Sequence, residues 1–96
     1  MNPPDINTET IIQICRAGGA VRVAMFGSMA RGDAGPDSDM DLLVRFGEPI
    51  SLLALVRLER ELSEALGRDV DLLTEAAVSP YLRERIEREQ QVLYDA

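Results

Sequence analysis

Ninety-six residues give room for one domain and not two, and an apolar fraction of 46% is enough to fill its core. Seventeen acids face ten arginines, with no lysine and no histidine, for a net charge of −7. That balance argues against direct nucleic-acid binding, excludes imidazole and lysine chemistry, and leaves carboxylates, arginines, hydroxyls and metals to act. No apolar run is long enough to span a bilayer and no signal-peptide pattern opens the chain. Without membrane attachment the expected compartment is the cytoplasm. Cys15 is the lone cysteine, so no intrachain disulfide can form, and with no histidine to activate it the thiol reads as a core residue.

The whole chain, 1–96, reads as a single domain. Residues 1–7, with Pro3-Pro4, read as a flexible leader. Asn7 or Thr8 caps a first helix carrying Ile11, Ile12, Ile14 and Cys15, which stops at Gly18-Gly19. Val21 to Phe26 is strand-like. A polar loop with Gly32, Gly35 and Pro36 follows, and Met40 to Phe46 is a second strand closed by Gly47 and Pro49. Ser51 caps a helix in which Leu52, Leu55, Val56, Leu58, Leu62, Ala65 and Leu66 keep a helical period, ending at Gly67. Asp69 to Thr74 is a third strand. Ser79-Pro80 sets a cap and a first-turn proline before a last helix with Leu82 and Ile86 inward and a Glu84–Arg88 pair outside. Val92-Leu93-Tyr94 can add a short final strand. Alternating elements of this kind predict an α/β (α+β) domain, a mixed sheet of three to four strands flanked by helices.

The chemistry is concentrated where the first strand ends and the second begins. Gly27-Ser28 closes one apolar run, ten residues intervene, and Asp39-Met40-Asp41 opens the next. Side chains at i and i+2 of a strand share a face, so Asp39 and Asp41 project together and can hold a hard cation. Gly27 lets the backbone approach a bound group closely, and Ser28 with the amides after it can donate to phosphate oxygens at a helix start. These are the parts of a site for a metal–nucleoside triphosphate. Asp71 opens the third strand as Asp41 opens the second, so it can stand beside them. Three carboxylates suffice for two magnesium ions, one on the triphosphate and one at an attacking hydroxyl, with Asp71 placed to bridge the second or accept the proton.

Shorter motifs fit less well. Asp37, Asp39, Asp41 and Glu48 imitate a calcium loop, but its sixth position requires glycine and is Leu42 here. Neither a Walker lysine motif nor G-x-G-x-x-G occurs.

Gly27-Ser28-x10-Asp39-x-Asp41, with Ala30-Arg31-Gly32 inside it and Asp71 downstream, resembles the minimal nucleotidyltransferase family of the DNA-polymerase-β-like superfamily. The likeness runs from the first helix to Val92-Leu93-Tyr94. It implies a polymerase-β-like core in which Gly27 and Ser28 hold the triphosphate, Asp39, Asp41 and Asp71 are the catalytic and magnesium-binding carboxylates, and Arg31 faces phosphate. It also implies a role: antitoxin partner of a HEPN ribonuclease toxin, moving AMP from ATP to a toxin tyrosine in a hetero-oligomeric complex.

The short, acidic chain supports one part of this independently. It has no added acceptor domain and no basic surface for RNA, so the acceptor hydroxyl is expected from a separate protein. Two other readings stay open: an antitoxin that neutralises its toxin by stoichiometric binding alone, and a nucleotidyltransferase with another acceptor.

Overall fold

The computed structural model describes residues 8–27 and 39–96. The leader at 1–7 and the loop carrying Ser28, Arg31 and Asp37 lie outside the described residues. Within them, helix α1 (Thr8–Ala17) leads into strand β1 (Ala20–Phe26), and strand β2 (Met40–Phe46) into helix α2 (Leu52–Leu66). Strand β3 (Val70–Thr74) passes through a 3-10 turn at Glu75–Ala77 to helix α3 (Pro80–Glu89) and strand β4 (Gln91–Asp95). The sheet order is β3-β2-β1-β4, with β2 and β3 parallel and the other pairs antiparallel. Four strands fall within the mixed sheet of three to four that the alternation of elements predicts.

Local chemistry sets the helix ends. Ser51 accepts a hydrogen bond from the Ala54 amide at 3.1 Å, and Gly67 closes α2 in the left-handed region at φ 68°, its amide donating to the Ser63 carbonyl. Ser79 caps α3 in the same way, accepting from the Leu82 amide, with Pro80 in the first turn. Parallel strands cannot be joined by a tight hairpin, so α2 serves as the crossover from β2 to β3.

The core lies mainly between α1, α2 and one face of the sheet: Ile11 and Cys15, Val23 and Met25, Met40, Leu42 and Val44, Leu58 and Leu62, Val70 and Leu72. Burial pushes the Cys15 thiol up to about 12, consistent with its reading as a core residue. A smaller cluster of Leu43, Val78 and Ile86, backed by Phe26 and Leu73, joins α3 to the opposite face.

Three expectations shift. Leu52 and Val56 are 76% and 46% exposed, while Leu58 and Leu62 carry the helix's contact with the core. At ~100° per residue, Val56 lies about 120° and Leu52 about 80° round α2 from Leu62, so both flank the stripe rather than continue it. Ala65 is exposed as well. Leu82 is 40% exposed, one turn nearer the start of α3 than the buried Ile86. The ion pair that α3 forms at i,i+4 spacing is Arg85–Glu89, at 3.8 Å, one residue on from the expected position.

An arginine cluster ties the far end of the sheet together. Arg45 Nε donates to Glu75 Oε2 at 2.6 Å, and Arg22 Nη1 approaches Glu75 Oε1 at 3.4 Å. Arg83 donates to the Glu75 carbonyl. The Arg45 hydrogen bond holds the Glu75 carboxyl below its ordinary value of 4.5, against the opposing effect of partial burial. A depressed carboxylate stabilises the fold above its unfolded value and loses that contribution as pH falls through its folded one. Glu75→Gln is therefore expected to lower the urea midpoint at neutral pH, with the gap to wild type closing below 4.5, in a pH series of melts. In the main core, Leu62→Ala is expected to cost about 2–5 kcal/mol in the same assay.

Candidate active site

The acids enter the sheet by alternation and meet by register. Met40 and Leu42 point into the core, which turns Asp41 to the other face, and Val70 and Leu72 do the same for Asp71. The parallel pairing sets Asp41 directly beside Asp71, flanked by Met40 beside Val70 and Leu42 beside Leu72. Across the antiparallel pair, Phe26 stands opposite Asp41. The Met40 amide donates to the Asp69 carbonyl at 2.9 Å, fixing the start of the β2–β3 ladder. Asp39 precedes β2 and is exposed, as is Asp71, while Asp41 is half-buried.

Gly27 follows Phe26 at φ 74°, a conformation that side chains rarely adopt. A Cβ built there would overlap the Asp41 Oδ2 atom. The absent side chain thus leaves the space in which the Asp41 carboxylate sits, between the end of β1 and the start of β2.

These are hard oxygen donors on one face of the sheet, beside a backbone cradle that only glycine leaves open, and that set suits a divalent cation such as magnesium. Among the described residues, no three acidic, cysteine or histidine side chains are already gathered into a metal-binding group. The structure brings Asp41 and Asp71 side by side, with Gly27 at Asp41 and Asp39 just outside the strand. Ser28 and Arg31 lie outside the described residues.

A hollow of about 630 Å³ opens among the described residues, lined by Phe46, Pro49, Ile50, Leu52 and Ala76. Its lining comes no nearer along the strands than Val44 and Thr74, three positions or ~10 Å at strand rise from Asp41 and Asp71, and it contains neither acid.

Two residues that the sequence reading did not single out touch the acid-bearing strand. Glu59 and Ser63 of α2 accept hydrogen bonds from the Leu72 and Val70 amides. Their signal was a polar pair four apart on a helix flank beside the leucine stripe.

The family model described as a nucleotidyltransferase domain matches residues 9–93. The chain belongs to the nucleotidyltransferase domain family. Within that family it is 49% identical over 86 residues to a Methanocaldococcus jannaschii protein assigned as a protein adenylyltransferase, covering 90% of this chain and 91% of that one. It is 39% identical over 71 residues to the protein adenylyltransferase MntA of Thermococcus cleftensis, covering 74% and 72%. Among solved structures, one described as a minimal nucleotidyltransferase superposes with a TM-score of 0.79 at 46% identity, over 88% of this chain and 86% of that one. A toxin–antitoxin structure with AMP-PNP gives a TM-score of 0.87 at 26% identity, over 95% and 75%. The nucleotidyltransferase fold and its nucleotide chemistry are therefore those of this chain's family.

If Gly27 is the cradle for Asp41, Gly27→Ala should cost about 1–2 kcal/mol in left-handed backbone strain. The added methyl should also displace the Asp41 carboxylate and weaken magnesium binding. Urea melts with a parallel Mg²⁺ titration check both, and unchanged cation affinity would detach Gly27 from the site.

Proposed function

We propose that this nucleotidyltransferase is a magnesium-dependent protein adenylyltransferase and the antitoxin of a HEPN-type ribonuclease toxin, transferring AMP from ATP to a toxin tyrosine. The observation that carries the chemistry is the lateral register of Asp41 and Asp71, with Gly27 against Asp41. The protein acceptor is supported by the relatives assigned as protein adenylyltransferases, and the toxin by the similar toxin–antitoxin structure with AMP-PNP.

In this reading Asp39, Asp41 and Asp71 hold two magnesium ions. When bound, magnesium neutralises charge on the triphosphate and lowers the pKa of the attacking hydroxyl. Gly27 admits the triphosphate close to the backbone, and Ser28 and Arg31 contact its oxygens. The tyrosine oxygen forms a bond to the α-phosphorus as the bond from that phosphorus to the bridging oxygen breaks, and pyrophosphate leaves. Asp71 takes the tyrosine proton, since in a chain without histidine or lysine the general base near this centre is a carboxylate. In this reading the acceptor hydroxyl comes from the docked partner protein, as the likeness to protein adenylyltransferases supports.

Wild-type protein and the Asp39→Asn/Asp41→Asn double variant, each incubated with α-phosphate-labelled ATP and Mg²⁺ in source-cell lysate, separate the readings. Wild type is expected to label a HEPN-type protein on tyrosine, and the double variant to label it about 100-fold less or not at all. No labelled band, with the same partner co-purifying equally with both proteins, would mean neutralisation by binding alone. Label on a small molecule and on no protein would overturn the toxin assignment.

A further inference from the structure

Among the described residues β3 is an edge strand, with β2 its one strand neighbour. In a parallel pair alternate residues face the neighbouring strand, so with the Met40 amide on the Asp69 carbonyl, the amides of Val70 and Leu72 point outward. An outward amide beside a packed helix must find an acceptor. Here α2 provides one for each. The Leu72 amide donates to Glu59 Oε2 at 2.8 Å, and the Val70 amide to Ser63 Oγ at 3.0 Å. The Ser63 hydroxyl donates in turn to the Glu59 carbonyl at 2.9 Å, which fixes its rotamer. The two bonded amides are those on either side of Asp71.

We propose that Glu59 and Ser63 are positioning residues for Asp71: they clamp the backbone on both sides of it and so hold its carboxylate in register with Asp41. This rests on the reading of Asp71 as a catalytic carboxylate. The geometry favours it over a purely structural role. A bond holding the strand elsewhere along its length would stabilise the fold equally well, whereas these bracket the one acid of β3. A charged acceptor also makes the stronger bond, and it falls on the amide immediately after Asp71. Small misplacement of a reacting group is costly, on the order of 100-fold for ~1 Å. Such a clamp therefore shows in turnover before it shows in nucleotide affinity.

The test compares wild type, Glu59→Ala, Glu59→Gln, Ser63→Ala and Asp71→Asn. AMP transfer from α-phosphate-labelled ATP to protein in source-cell lysate gives kcat and KM. Mn²⁺-induced broadening of the Asp71 and Asp41 amide resonances, read by NMR on the purified chain, reports cation contact without any turnover. Melting temperatures accompany both.

Glu59→Ala is expected to lower kcat by about 10-fold or more with KM for ATP nearly unchanged, the pattern of an interaction made in the transition state. Broadening at Asp71 should weaken relative to Asp41. Glu59→Gln keeps an acceptor oxygen and should recover most of both, and Ser63→Ala should fall between.

Glu59→Ala with wild-type broadening at Asp71 overturns the clamp, whatever its melting temperature. So does Glu59→Gln as impaired as Glu59→Ala. If Asp71→Asn itself keeps full turnover and broadening, the reading of Asp71 falls and the clamp's catalytic meaning with it. Asp71→Asn inactive beside a fully active Glu59→Ala rejects the clamp alone.

Discussion

Two parallel strands set side by side govern the rest of this molecule. An antiparallel pair could bring two acids together through a short turn, but a parallel pair needs a crossover long enough to return to the starting end. Here that crossover is α2, and its length sets where β3 begins relative to β2. The pairing of Met40 with Val70 and Asp41 with Asp71 follows from that return. The same alternation that buries Met40, Leu42, Val70 and Leu72 under α1 and α2 turns the carboxylates to the other face. Core packing and acid placement are thus one constraint seen from two sides of the sheet. A slip of one residue in β3 would turn Val70 and Leu72 out of the core and Asp71 into it.

Composition decides how the charged groups are shared out. With neither lysine nor histidine, every cation is an arginine. Three of them gather around Glu75, where Arg22, Arg45 and Arg83 join the end of β3 to β1, β2 and α3. That cluster lies several residues along the strands from Asp41 and Asp71. One end of this face carries paired charges that support the fold, and the other carries Asp41 and Asp71, the carboxylates we propose hold a cation. The separation lets an acidic protein keep acids beside each other at one place without giving up arginine support at another.

Much of this was legible in the residues. Ser51, Gly67, Ser79 and Pro80 mark helix ends because capping chemistry is local, and the structure places them there. Met40 to Phe46 and the faces of Asp41 and Asp71 could be read because side-chain alternation is a property of the strand itself, whereas Asp39 stands just before β2, where alternation does not reach. What could not be read depends on neighbours. The period of α2 names a face but not how far other elements reach across it, so it does not tell the exposed Leu52 and Val56 from the buried Leu58 and Leu62. Nothing local states that β4 returns to pair with β1, or that Asp71 stands level with Asp41 rather than one step away. The contacts of Glu59 and Ser63 were hidden for the same reason, since each is an ordinary helix residue until an edge strand lies alongside.

The bonds from α2 to β3 also bear on how this sheet meets other chains. An edge strand with free outward amides is a template for a further strand, from a second copy or from a misfolded neighbour. Along β3 the Val70 and Leu72 amides are already occupied by Ser63 and Glu59, and the helix that bonds them lies alongside that border. Extension of the sheet is thereby directed to the opposite margin, at β4, which among the described residues pairs with β1 alone. The fold closes one flank to strand addition with two side chains, and it closes the flank nearest the carboxylates.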